Sequence, residues 1–147
     1  MANIMKDHLI DPLTALIRSD LAMPVFWDAE YQARSPRYVA LQLLSDDFIE
    51  EASTSQTRRV RVLMRLYDQR ADVTGVRTYE QWLADGVEAV KAVIFGNRCY
   101  SDDGDYCWHN AQVENIDYSP ELTEAEQDTD SLSVVWLLVG FTITELA

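Results

Sequence analysis

The stretch that decides the fold is Thr57–Tyr67, which reads TRRVRVLMRLY. Its even-numbered residues from Val60 to Leu66 are apolar, and Arg59, Arg61 and Arg65 stand between them. A repeat of two residues places the two sets on opposite faces of a β-strand. The stretch therefore predicts a strand with one face in the core and a basic face on the other side.

Four other stretches read as strands. The connection between Tyr38–Leu44 and Thr57–Tyr67 is too short for a helical crossover, so these two are predicted to be antiparallel neighbours. Ser45-Asp46-Asp47 is predicted to end the first of them. Leu132–Thr144 is apolar on both faces, which favours the middle of a sheet, or one face under helices and the other under a partner. The remaining two are Met23–Asp28, an edge strand, and Trp108–Tyr118, a strand whose imperfect alternation predicts a bulge or a weak start.

Two helices are predicted. Pro12–Asp20 follows Asp11, which is placed to cap the helix, with Pro12 in its first turn. Thr78–Phe95 has apolar residues at spacings of three and four, and Gly96-Asn97 should end it. Gly86 falls on the apolar face of this helix, which suggests a close approach to the sheet.

The order of these elements is helix, three strands, helix, two strands. It predicts one α+β domain spanning residues 1–147, with an antiparallel β-sheet of four to five strands and two helices packed on one face. The length of 147 residues is enough for one core. Ser119–Ser131 is acidic and almost free of large apolar residues, so we expect an exposed loop that contains a helical turn at most.

The net charge is −13, and it is unevenly distributed. Six of the twelve basic residues lie between Arg58 and Arg77, whereas eleven acids and no base follow Arg98. Such a surface disfavours ordinary binding to nucleic acid, because phosphates would meet a repulsive field. The longest apolar stretch is far shorter than the ~20 residues that span a membrane, and the N-terminus does not resemble a signal peptide. We expect a protein of the cytoplasm, or of something assembled there, with no membrane partner.

No sequence pattern in the chain predicts catalysis, a cofactor or a metal. Cys99 and Cys107 are expected to be reduced thiols, although a hairpin between them would permit a disulfide. Asp102, Asp103 and Asp105 surround Gly104 without the spacing of a calcium loop, and a solvated turn explains them as well. We therefore expect a protein that is not an enzyme and has no cofactor or metal ion.

The basic face of the strand allows two interpretations. Arg59, Arg61 and Arg65 are either solvated or in contact with an acidic surface. The chain carries such a surface in its last third, so a neighbouring copy could supply it. That contact would run head to tail, and head-to-tail contacts close into rings when the rotation permits.

The chain resembles the tail-terminator, or tail-completion, proteins of long-tailed bacteriophages. The resemblance rests on the order of the elements and on local cues, with the best match over Ser35–Gln69. These cues are the short strand MPVFWD, the proline-preceded strand SPRYVALQLL, and the passage DDFIEEASTSQTRRVRVLMRLYDQ. The long loop Ser119–Ser131 and the cysteine-flanked loop depart from the family pattern.

The resemblance implies a structural virion subunit that forms a ring, usually of six copies, on the head-proximal end of the tail tube. Its partners would be further copies of itself, the tail-tube protein and the head–tail connector, and DNA would pass through without specific binding. Arg59, Arg61 and Arg65 would then contact another subunit or the tube, and Asp102, Asp103 and Asp105 would face the channel or a partner. The alternatives are another head–tail connector or neck protein, and an acidic inhibitor that mimics DNA.

Overall fold

A computed structural model describes residues 4–28, 37–52, 55–69, 83–102, 104–128 and 132–146. Within these ranges the fold is α+β, with six strands in one mixed sheet and three helices. The α+β class is confirmed, whereas the prediction of a purely antiparallel sheet of four to five strands with two helices is wrong in its details. The strands are β1 (Val25–Trp27), β2 (Arg37–Ala52), β3 (Ser55–Gln69), β4 (Tyr100–Asp102), β5 (Asp105–Asp117) and β6 (Leu132–Leu146).

The strand order across the sheet is β1-β2-β3-β6-β5-β4. β1 runs parallel to β2, which corrects the all-antiparallel prediction, and every other pair is antiparallel. β3 and β6 pair residue by residue from Ser55 opposite Leu146 to Gln69 opposite Leu132. β6 is thus central, as its two apolar faces predicted.

β2 does not end at Ser45-Asp46-Asp47, so that prediction is wrong. The strand continues to Ala52 because β3 pairs with it along its whole length, and register shifts at Leu43/Ser45 and Phe48/Glu50 absorb two extra residues. Each shift is a β-bulge, in which one residue of β2 has no partner across the ladder. The bulged residues are Leu44 and Ile49.

Both predicted helices lie on one face of the sheet. Helix α1 has a π-helical turn, Lys6–Ile10, followed by an α-helix, Asp11–Leu21. Asp11 is therefore inside the helix and is not its cap; its carboxylate instead accepts a hydrogen bond from Lys6 Nζ at 2.6 Å.

Helix α2 likewise combines a π-helical segment, Leu83–Glu88, with an α-helix, Ala89–Gly96. It ends at the predicted Gly96-Asn97 stop, where the Asn97 side chain donates to the carbonyl of Val93. Gly86 is buried on this helix. The predicted start at Thr78 lies outside the described residues.

The main core lies between these helices and the sheet. Val60, Val62, Met64 and Leu66 of β3 are fully buried there, as their spacing predicted. Strand β6 adds Val135, Leu137, Val139, Phe141 and Ile143 to the same core. Burial of this continuous apolar layer is the main source of the protein's stability, because removing apolar surface from water is the dominant favourable contribution to folding.

The opposite side, which we call the second face, is covered at one end by the segment that follows β5. Leu122 packs there against a small cluster that includes Tyr38, Tyr67 and Val134. Helix α3 (Glu124–Gln127) begins beside it and carries the buried Glu126. The described part of Ser119–Ser131 is mostly exposed and contains one helical turn, as predicted, and Leu122 and Glu126 are its inward-facing residues.

None of the helices in the described part of the chain is long and apolar enough to cross a membrane.

Candidate functional site

The predicted basic face of β3 lies on the second face of the sheet, where Arg59 is almost fully buried. Its Nη1 donates hydrogen bonds to the carbonyl of Asn110 at 2.7 Å and to Thr142 Oγ1 at 2.8 Å. Its Nη2 lies 3.6 Å from Glu114 Oε2. Burial lowers the pKa of Arg59, and the charge of Glu114 acts in the opposite direction. The guanidinium is thus bound by groups of this chain.

The space for that guanidinium comes from Gly140 on β6. A Cβ atom at this position would overlap the carboxylate of Glu114 and lie 2.5 Å from Arg59 Nη2. A Cβ atom at residue 140 and the Arg59–Glu114 ion pair exclude each other, because real Cβ atoms essentially never approach a neighbour so closely. Glycine at this position allows Arg59 to cross β6 and reach β5.

Arg61 bridges the two strands on either side of the β3–β6 pair. Its Nε lies 3.1 Å from Glu114 Oε1, and its Nη1 lies 3.1 Å from Asp47 Oδ2. Arg58, next in sequence but on the other face, is paired with Asp46 and Glu145. The acids of β2, β5 and β6 therefore offset much of the basic charge of β3 within one copy.

Arg65 is half-buried further along the strand, where Ala40 and Trp136 are its neighbours in the ladder. Of the three predicted contact residues, Arg59 and Arg61 are brought together by their shared partner Glu114. Their predicted contact with another subunit or with a tube stays a prediction.

The acidic residues around Gly104 occupy the β4–β5 turn. Gly104 has a positive φ of 85°, which glycine adopts without strain. Asp102 and Asp105 are exposed and pair across the hairpin, and Asp103 lies outside the described residues. A cavity of about 910 Å³ opens beside them; its wall includes Asp7, Asp11 and Glu145. Their role at a channel or partner stays a prediction.

The two cysteines are free thiols with different surroundings. Cys99 is exposed, whereas Cys107 is buried and burial raises the pKa of its thiol. The thiol of Cys107 points to the carbonyl of Asp105 at 3.6 Å, and His109 Nδ1 instead lies 2.8 Å from the hydroxyl of Tyr106. The structure therefore does not bring Cys107 and His109 together as a nucleophile and its base. Within the described ranges, no three His, Cys, Asp or Glu residues are grouped to hold a metal ion.

Four of the six large apolar side chains that are exposed in the described part of the chain lie on β2, and the sequence analysis missed them. We call Leu43, Leu44, Phe48 and Ile49 the β2 edge patch; these side chains are 40–61% exposed. β1 covers β2 only from Val39 to Leu41, and beyond that point no described strand lies beside it. Natural sheet edges are usually protected by charge, so exposed apolar residues on a long edge indicate an interaction surface.

The signal for this patch is present in the sequence QLLSDDFIEEA. Two apolar pairs, Leu43-Leu44 and Phe48-Ile49, break the alternation that a regular strand would show. Each pair contains the bulged residue of one register shift. Adjacent apolar pairs in an otherwise acidic strand therefore indicate bulges on an exposed edge.

No protein-family profile matches this chain, and a search of curated proteins finds no match.

Proposed function

We propose that this protein is a ring-forming structural subunit of a long-tailed bacteriophage, a tail terminator that caps the tail tube and joins it to the head connector. The observation that carries the proposal is the β2 edge patch, four large apolar side chains exposed on the edge of a long strand. A subunit that works by assembly needs such a surface, because burial of apolar area supplies most of the free energy of association.

The resemblance in element order supports the choice among assembling proteins. The helix, short edge strand, long hairpin and second helix occur in the order that the tail-terminator resemblance implies, and three strands and a short helix follow where the resemblance implies two strands. The net charge of −13 suits a ring around a DNA channel, since electrostatic repulsion would keep passing DNA from adhering to the channel wall. The protein then acts in the virion, at the neck of the tail, and is assembled in the host cytoplasm.

The test is to polymerise the tail-tube protein of the same virus with and without this protein and to measure the tubes by electron microscopy. A terminator limits tube length and appears as a ring on one tip. Rings that bind the isolated head connector but leave tube length unchanged would assign the protein to another part of the neck. A protein that forms no rings and instead inhibits a DNA-binding enzyme would overturn the proposal in favour of DNA mimicry.

A further inference from the structure

A second apolar surface lies at the opposite side of the sheet from the β2 edge patch. A groove of about 480 Å³ runs between helix α2 and β5, and we call it the α2–β5 groove. Phe95, 76% exposed, stands on its α2 side, and Val113 lies on its β5 side. β4 covers β5 only as far as Trp108, so the described part of the sheet leaves this stretch of β5 without a strand on its outer side.

The two surfaces have complementary charges. The α2–β5 groove contains Lys91 and Arg98 against one acid, Glu88, which leaves one net positive charge in a chain of net charge −13. Lys91 Nζ forms an ion pair with Glu88 Oε2 at 3.2 Å, and Arg98 Nη2 donates a hydrogen bond to Asn110 Oδ1 at 3.2 Å. The sequence around the β2 edge patch, Ser45–Ala52, has four acids and no base. Asp46 and Asp47 are already paired with Arg58 and Arg61 of the same copy, so the excess negative charge of this stretch comes from Glu50 and Glu51. Such complementarity steers association and selects one pairing over others.

The two surfaces also face the same way. Leu43 and Phe48 stand opposite Val62 and Arg58 in the ladder, which places their side chains on the face that carries the helices. The α2–β5 groove opens on that same face, because α2 forms one of its walls. Two copies placed edge to edge, with their helices on one side, would therefore bring the patch of one copy against the groove of the next.

We propose that the partner of the β2 edge patch is the α2–β5 groove of a second copy of this chain. Since the two surfaces lie at opposite edges of the sheet, the contact is head to tail, and each copy keeps one unused patch and one unused groove. Such a contact closes into a ring or continues as a filament, according to the rotation between copies. The inference rests on the proposed ring, and it names the residues that join its subunits.

The test uses two variants that each damage one surface. Phe48→Thr with Ile49→Thr removes the two most exposed of the four apolar side chains of the patch and keeps residues that favour a strand. Phe95→Gln removes the exposed ring of the groove and keeps a good helix former. Tyr118→Thr is the matched control, because Tyr118 is also a large exposed residue (46%) but belongs to neither surface. Circular dichroism and urea unfolding establish that every variant is folded.

Sedimentation velocity and native mass spectrometry then measure assembly at the highest concentration the protein reaches. The wild type and Tyr118→Thr should assemble, whereas each surface variant alone should dissociate with a constant raised about tenfold or more, as expected for loss of a large central side chain. An equimolar mixture of the two variants should form a heterodimer and nothing larger, because one intact patch meets one intact groove. That rescue is specific to a head-to-tail contact.

Three results would overturn the inference. The first is full assembly of Phe95→Gln together with loss of assembly in the patch variant, which would indicate a dimer that joins patch to patch. The second is normal assembly of both surface variants. The third is a wild type that remains monomeric. The tube assay separates this inference from the proposed function. Patch variants that still cap tubes refute the contact and leave the terminator function standing. A mixture that gives heterodimers, from a protein that caps no tubes, supports the contact and refutes the function.

Discussion

The guanidinium of Arg59 reaches from β3 across the backbone of β6 to β5, and Gly140 leaves the room for it. The sequence pattern correctly placed Arg59 and Arg61 on one side of the strand. It could not show that Arg59 is buried and Arg61 half-exposed, because that difference depends on Glu114 and Thr142, which lie more than fifty residues away. Periodicity predicts the face of a residue, and only the register of the whole sheet determines its partners.

Gly140→Ala should destabilise the protein by about 1–3 kcal/mol, the usual cost of overpacking a filled site. The added methyl group would displace either the carboxylate of Glu114 or the guanidinium of Arg59. Urea unfolding followed by circular dichroism measures the change. Gly96→Ala is the control, since a Cβ atom there meets nothing within 4 Å. Equal unfolding free energies for the two variants would contradict this account of Gly140.

At the scale of elements, strands with regular alternation were predictable and irregular ones were not. β3 and β6 were recognised because pattern and burial agree along their length. The second half of β2 was missed because its local residues favour a turn, whereas pairing with β3 keeps them extended. β4 has only three residues, too few to show a period. β1 is equally short, and its own residues do not indicate that it pairs with β2 in the parallel direction.

The short helix α3 depends on a capping box. Thr123 Oγ1 accepts from the backbone N–H of Glu126 at 3.3 Å, and Glu126 Oε1 accepts from the N–H of Thr123 at 2.9 Å. Thr123→Ala should therefore lower the free energy of unfolding by about 1 kcal/mol. Chemical denaturation of the variant checks this value. Ser119→Ala changes an exposed residue of the same segment and should have almost no effect. If Thr123→Ala lowers the free energy of unfolding no more than Ser119→Ala does, the capping box does not stabilise the protein.

At the scale of the whole molecule, the buried Tyr67 and the half-buried Tyr106 should make stability depend on alkaline pH. Burial is the main cause that raises the pKa of both hydroxyls; at Tyr67 the charge of Arg65 acts in the opposite direction, and the nearby Glu126 raises the pKa further. Because the folded state holds these protons more tightly, their contribution is complete below the ordinary tyrosine pKa of about 10. It is lost as the pH rises from there towards the folded-state values.

The free energy of unfolding should thus fall as the pH rises above about 10, the unfolded pKa of tyrosine. Urea titrations between about pH 9 and pH 11 measure the slope. Tyr67→Phe removes one of these ionisable groups and should flatten the curve. A Tyr67→Phe curve as steep as that of the wild type would exclude Tyr67 as a source of the slope.

The central place of β6 also has a consequence for biosynthesis. β6 is the last strand in chain order, yet it joins β3 to β5 in the middle of the sheet. Until it emerges from the ribosome, the β1-β2-β3 and β4-β5 halves each expose an unpaired inner edge. These edges must wait for partners distant in sequence, and such pairing is slow and prone to aggregation. Pairing of these two inner edges is therefore complete only after the segment from Leu132 to Leu146 has been synthesised.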